Sequence, residues 1–284
     1  MRLPNELCWE VIVVDNGSTD QTPDVIKSYA NRLPIRQVVQ PEPGLSNSRN
    51  LGIAAAVGEY IVWTDDDVLV GEGWLRGYLK AFNRWPDAAV FGGKVTPLLR
   101  EPTPGWFESA KADLHFLLAA RDFGDLPVPL SLSDDRLPFG ANFAVRAAEQ
   151  NMYLYNPALG VAPGRRRGGE ETAVLHALLT DGKTGWWVPE AEVAHVIPVS
   201  RQTPEYLKHF YGGMGEASAF AYCNSKPDPL LKAPIAVWIK VALSLVRFRA
   251  AKMIGHWTWV RYLSSYSFHL GALNFYLTPR KLRR

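Results

Sequence analysis

The chain has 284 residues, 47% of them hydrophobic and 21% charged, which allows a sizeable core and excludes a disordered protein. Two cysteines, Cys8 and Cys223, exclude a disulfide framework and a cysteine-built metal cluster, and they fit a reducing compartment. The net charge of +3 hides a division: residues 217–284 balance to +10 around a single acid, Asp228, and residues 1–216 balance to −7. An acidic globular part is thus joined to a basic, aromatic tail.

From the N-terminus, Met1–Glu6 lacks the apolar segment of a secretory signal. Glu10 to Asp15 reads as a short buried strand ending in an acid, and Asn16-Gly17-Ser18-Thr19-Asp20 is turn chemistry. Thr22 is expected to cap a helix with Pro23 at its first position. Ile35 to Gln40 reads as a strand, and Ser46 to Val57 as a helix closed by Gly58. Tyr60-Ile61-Val62-Trp63-Thr64 then runs straight into Asp65-Asp66-Asp67. The order strand, helix, strand, helix, strand predicts an α/β protein with a mostly parallel sheet and a polar crevice beyond the strand ends. Three carboxylates at one strand end repel one another unless a cation lies between them. Hard oxygen ligands at that density suit Mg²⁺ or Mn²⁺ held together with a phosphate-bearing substrate.

Farther along, Trp74 to Phe82 has helical spacing and Ala88 to Val95 is an apolar strand. A helix is expected around Leu114–Ala120, in a stretch rich in Pro and acids. Phe139 to Arg146 reads as a small-residue loop leading into a strand, where Gly140 and Ala141 would admit close approach of a ligand. Gly168-Gly169-Glu170-Glu171-Thr172 opens an amphipathic helix, and Pro189 to His195 follows one strand later. Tyr206 to Asn224 reads as a helix with a weak point at Gly212-Gly213. Pro234 to Ile254 and Trp257 to Leu277 are apolar and aromatic, yet interrupted by Lys240, Arg247 and a series of polar residues. Such helices suit the headgroup region of an anionic membrane better than its interior.

Glu10 to Asp20, Glu42 to Ile53 and Asp65-Asp66-Asp67, in this order and spacing, resemble the family 2 glycosyltransferases of bacteria. The resemblance covers residues 9 to about 200 and implies the GT-A fold, a nucleotide-sugar donor, a divalent metal and inversion at the anomeric carbon. It implies that Asp15 reads the nucleotide base and that Arg49 lies beside the nucleotide. Asp65, with Asp66 beside it, would bind the donor, and Asp67 would hold the metal. It further implies that Gly140 and Ala141 face the donor sugar, that Glu171 is the catalytic base with Glu170 as its neighbour, and that His195 reaches the metal or diphosphate. This chain departs from the commoner pattern in having Glu, not Asp, as the second acid at position 171.

On that resemblance, residues 1–202 form a catalytic domain and 203–284 a helical, basic extension. Only residues 1–10 precede the first strand, whereas the family begins with an earlier strand and helix, so the catalytic domain is expected to be N-terminally incomplete. The acceptor would be a polysaccharide or glycolipid precursor, with Arg165-Arg166-Arg167 meeting an anionic acceptor such as a lipid diphosphate. The protein would work in the cytoplasm, peripherally on the inner face of the plasma membrane, without nucleic acid as a partner. A nucleotide-sugar-binding protein impaired in catalysis by loss of the first strand is the alternative. An aspartate-nucleophile phosphatase fits less well, because Leu69 stands where Thr or Val is expected. A nucleotidyltransferase would need a glycine-rich loop on the first strand.

Overall fold

The computed structural model describes residues 7–224 and 235–278. In chain order the first elements are β1 (Val11–Asp15), α1 (Thr22–Ser28), β2 (Ile35–Val39), α2 (Leu45–Ala55), β3 (Tyr60–Thr64) and β4 (Val68–Val70). Next come α3 (Trp74–Arg84), β5 (Val90–Leu99), α4 (Gly105–Ser109), β6 (Asn142–Arg146), α5 (Ala147–Gln150) and β7 (Gly160–Ala162). The last are β8 (Arg165–Arg167), α6 (Glu170–Thr180), β9 (Gly185–Ile197), α7 (Pro204–Asn224), α8 (Ile235–Ile254) and α9 (Trp259–Leu277). Met1–Glu6, Pro234, Asp228 and the tail cations Lys226, Lys232, Arg280, Lys281, Arg283 and Arg284 lie outside the described residues.

The chain divides into two compact units. One comprises residues 1–97, 119–163 and 170–196, and the other residues 98–118, 164–169 and 197–284. In the first unit β1 and β2 pair in parallel, Val11 opposite Ile35 through Asp15 opposite Val39. A second sheet has the order β3-β6-β5-β9-β4. A mostly parallel sheet was expected, but here β3 with β6, β5 with β6 and β4 with β9 are all antiparallel, so parallel and antiparallel pairing are combined across the two sheets. Apolar runs mark strands buried on both faces but do not encode their direction. Among the described residues, no strand pairs with the outer edge of β3 or with the second edge of β1. Helix α2 touches both, since a methyl group on Gly52 would lie 3.4 Å from Val14 and 3.5 Å from Trp63.

The five-stranded sheet is covered on both faces, and strand alternation divides its residues between them. Phe143 and Val145 of β6, Val90 of β5 and Trp187 of β9 pack with Val174, Leu175 and Leu178 of α6. Their neighbours Ala144, Phe91 and Val188 pack on the other side with Trp74, Tyr78 and Ala81 of α3. Burying each large side chain contributes about 1.5–3 kcal/mol. Asn142 ties the centre: its Nδ2 donates to Lys94 O at 2.9 Å and Ala191 O at 2.6 Å. Its Oδ1 accepts from Trp74 Nε1 at 2.8 Å and Tyr78 Oη at 2.7 Å. Gly93 makes room for it, since a methyl group there would fall 2.3 Å from Asn142 Nδ2.

Three local expectations are corrected. Thr22 is the first residue of α1, not its cap, and its hydroxyl donates to Asp20 Oδ1 at 2.6 Å. In place of a helix at 114–120 there are α4 and a 3₁₀ turn at Lys111–Leu114, and the chain leaves helical geometry at Ala119, where φ is +50°. Gly212-Gly213 does not interrupt α7, which runs unbroken from Pro204 to Asn224. In the second unit these small residues serve contact instead. A methyl on Gly271 of α9 would lie 2.0 Å from Gly212 O, and one on Gly215 would lie 1.8 Å from Phe268 O. Side chains at these positions would force the two backbones apart.

Candidate active site

Arg49 is the centre of the site. Its place on α2 puts the guanidinium inside the first unit, with only 6% of the residue exposed. Three rings surround it, with centroids 5.5 Å (Trp63), 5.9 Å (Phe143) and 5.4 Å (Tyr155) from Cζ. The Tyr155 segment is held by Asn50, which donates to Tyr155 O and accepts from Tyr155 N, both at 2.8 Å. A buried cation needs compensating charge, and the carboxyl groups of Asp65, Glu170 and Glu171 lie around it. Arg49 Nη2 lies 3.5 Å from Asp65 Oδ1, and Nε lies 3.9 Å from Glu170 Oε1. Burial opposes the charge on Arg49, yet Tyr155, Glu171, Asp65 and Glu170 together hold its pKa above the ordinary value.

Glu170 and Glu171 reach this cation because α6 starts directly after Gly169, whose φ of +93° suits glycine. Burial, and then the neighbouring Glu171, push the Glu170 carboxyl up to about 8, against the opposing pull of Arg49. The raised pKa favours the protonated form of Glu170. Burial also raises Asp65, although 38% of its side chain remains exposed and water limits the effect. Glu171 Oε2, Arg49 Nε and Arg49 Nη1 are buried without a hydrogen-bond partner. Groups so placed in a fold are candidates to meet a ligand. Gly140 closes the other side: a methyl there would lie 2.9 Å from Glu171 Oε1 and 3.0 Å from Arg49 Nη2.

The pairing of β4 with β9 creates a second arrangement. Val68 lies opposite His195, which brings Asp67 Oδ2 to 3.4 Å from His195 Nε2. The backbone also locks here, with Val196 N donating to Asp67 O at 2.9 Å. Asp67 and His195 both act electrostatically on Asp65, so the two arrangements adjoin. A carboxylate and an imidazole side by side fit a divalent cation that takes its remaining ligands from phosphates and water. Among the described residues no three His, Cys, Asp or Glu side chains converge as a self-sufficient metal cage.

The remaining candidates sit elsewhere. Asp15 ends β1 and is buried; its Oδ1 accepts from Ser18 N at 2.8 Å and its Oδ2 from Gln37 Nε2 at 2.7 Å. Hydrogen bonds from Ser18, then Gln37, lower its pKa. Asp66 is exposed, and the Ala141 side chain belongs to the core beside α3. Arg167 is buried in the second unit, 2.8 Å from Glu216 Oε1 and stacked on Phe220 and Phe275. It is thus bound up in packing. The side chain of Arg166 lies outside the described ones. Sequence reasoning missed the aromatic box of Trp63, Phe143 and Tyr155 and the Asn142 hub. The one local signal was Asn50, next to Arg49 in the helix.

Comparison with known proteins fits this geometry. The model of Glycosyl transferase family 2 matches residues 5–106. An N-acetylglucosaminyl-diphospho-decaprenol L-rhamnosyltransferase of Mycobacterium tuberculosis is 32% identical over 231 residues, covering 69% of each chain. A validoxylamine A glucosyltransferase of Streptomyces hygroscopicus is 30% identical over 217 residues, covering 69% of this chain and 47% of its own. The chain spans about half the length of the validoxylamine A glucosyltransferases it matches. Among solved structures, the mannosyltransferase PcManGT of Pyrobaculum calidifontis, in complex with GDP-Man and Mn²⁺, superposes with a TM-score of 0.56 at 16% identity. That superposition covers 94% of this chain and 77% of the other. The chain belongs to glycosyl transferase family 2, and its fold is GT-A.

Proposed function

We propose that the protein transfers a sugar from a nucleotide-sugar donor to a hydroxyl acceptor, with inversion and with a divalent cation. The observation that carries this reading is the carboxylate pair beside Arg49. Burial favours the protonated form of Glu170, and Glu171 keeps a buried oxygen without a hydrogen-bond partner. A general base must be ionised and must have a free oxygen facing the acceptor hydroxyl. The unpartnered Glu171 Oε2 supports Glu171 in this role, and the proton that burial favours on Glu170 counts against Glu170.

In the proposed step the acceptor oxygen attacks the anomeric carbon while Glu171 takes its proton. The bond from that carbon to the diphosphate oxygen breaks, and its electron pair leaves with the nucleoside diphosphate. A single displacement inverts the anomeric centre. Neutral Glu170 can donate a hydrogen bond in the site. Arg49 keeps the surrounding carboxylates from repelling one another, and its unpartnered N–H groups are available to the donor. Asp65, Asp66, Gly140 and Ala141 are assigned to the donor sugar and ribose, and Asp15 to the nucleotide base, beyond its two internal hydrogen bonds. Asp67 and His195 would hold Mg²⁺ or Mn²⁺. The cation supplies Lewis-acid stabilisation of the departing diphosphate charge. The catalytic part is assigned to residues 1–202, with 203–284 as a helical extension.

The relatives' names support a saccharide or lipid-linked acceptor. The test is a thermal-shift screen of UDP, GDP and dTDP with and without Mn²⁺, followed by transfer and hydrolysis assays on the matching donors. One nucleotide should raise the unfolding midpoint only with the metal, since ligand bound to the native state stabilises it by about 2.7 kcal/mol at a hundredfold excess over Kd. Absence of any shift, with no turnover of any donor, would refute the proposal.

A further inference from the structure

Helix α8 carries an unusual outer face. Ile235, Trp238, Ile239, Leu243, Val246 and Met253 are all exposed, Val246 by 65% and Met253 by 88%. Their spacing places them on one stripe of a helix. The opposite side is satisfied within the second unit: Ser244 and Ala251 are buried and α8 packs on α9. The stripe is thus an apolar surface left over after folding, larger than the scattered single residues of an ordinary surface.

The charges on α8 decide what covers it. Lys240, Arg247, Arg249 and Lys252 are exposed, and α8 contains no acid. At 100° per residue Lys240 and Arg247 fall along one border of the stripe and Lys252 along the other, while Arg249 lies just inside that second border, close to the line of Trp238. Long cationic side chains on both borders can lay their methylene stems on the apolar zone and keep their heads in a polar layer. Crossing is not the geometry, because no described helix is long and apolar enough to span a membrane.

We infer that α8 is an in-plane anchor: its apolar stripe enters the headgroup region of an anionic lipid surface while its two cationic borders meet lipid phosphates. A second copy of the chain is the competing occupant. Two-fold pairing would set each stripe and its cations against the same stripe, a like-charge arrangement without a compensating acid. An anionic bilayer complements both features of the face at once. The inference stands apart from the catalytic reading, because lipid binding is measured without turnover.

The experiment is co-sedimentation of the full chain with phosphatidylcholine vesicles, with and without phosphatidylglycerol, across a salt series. Binding is expected only with the anionic lipid, and it should fall as salt rises. Val246→Asp should weaken it about tenfold or more. The pair Arg247→Gln and Arg249→Gln should weaken it by about fivefold for each cation removed. Both sets of positions are exposed, and an unchanged unfolding midpoint confirms that the variants fold. Quenching of tryptophan fluorescence by brominated lipid should diminish in Trp238→Phe. Equal binding to neutral vesicles, or no binding, would overturn the inference. So would a lipid-free dimer that Val246→Asp turns into a monomer.

Discussion

Gly140 lies directly against the Glu171 carboxylate, closer than any side chain could. A methyl group at 140 would come within 2.9 Å of Glu171 Oε1 and 3.0 Å of Arg49 Nη2. Both neighbours are side-chain ends and can yield, but only by leaving their present positions. Gly140→Ala should therefore fold normally and lose about 10–100-fold in turnover, because a displaced catalytic group is costly. Steady-state kinetics beside a melting curve check this, and wild-type turnover would show that Glu171 is not needed where it stands.

Substitution separates the two glutamates. Glu171→Gln should keep donor affinity and lose about 10²–10⁴ in turnover, the usual contribution of a positioned base. Glu170→Gln mimics the protonated form that burial favours for Glu170, and should cost less. If Glu170→Gln is the more damaging, the roles are exchanged.

The raised Glu170 pKa has a consequence for stability against pH. A free glutamate ionises near 4.5, whereas Glu170 in the fold holds its proton to about 8. The folded chain binds this proton more tightly than the unfolded chain does. Its stabilising effect is therefore complete below about 4.5 and is lost as pH rises towards 8. Glu170→Gln lacks this dependence. Its stability relative to wild type should climb between those pH values, by at most about 1.4 kcal/mol per pH unit, and then level off. Denaturant titrations across the range test it, and a difference that does not vary with pH would contradict the assignment.

At the second arrangement, Asp67→Asn should abolish Mn²⁺-dependent donor binding. The side chain is partly open to solvent, so loss of its pairing with His195 should change metal-free stability by no more than about 1 kcal/mol. Calorimetric titration of nucleotide with and without Mn²⁺ distinguishes this from general damage. Unchanged metal-dependent binding would remove Asp67 from the ligand set.

Much of the site could be read from the chain because its signals are local. An apolar strand running into Asp65-Asp66-Asp67 and two glutamates at a helix start are patterns within a few residues, and the fold brings both to Arg49. Arg49's surroundings were hidden for the opposite reason. Trp63, Phe143 and Tyr155 come from separate segments, and nothing in their spacing announces that one cation lies among them. Strand direction was hidden as well, since β3 and β6 look alike whichever way they run. The stretch at Leu114, Leu117 and Leu118 misled because buried leucines at helical intervals suit a compact turn equally well, and the positive φ at Ala119 ends it.

The centre of the sheet also has a chemical weak point. Asn142 spends both amide hydrogens on two carbonyls and its oxygen on two aromatic donors. Deamidation to aspartate would preserve the shape and reverse half of the polarity, setting an acceptor against the Lys94 and Ala191 carbonyls. Four contacts joining β6, β5, β9 and α3 would be compromised by one slow hydrolysis. No solvent reaches that amide while the sheet stays closed, so the hydrolysis would have to follow local opening of the sheet.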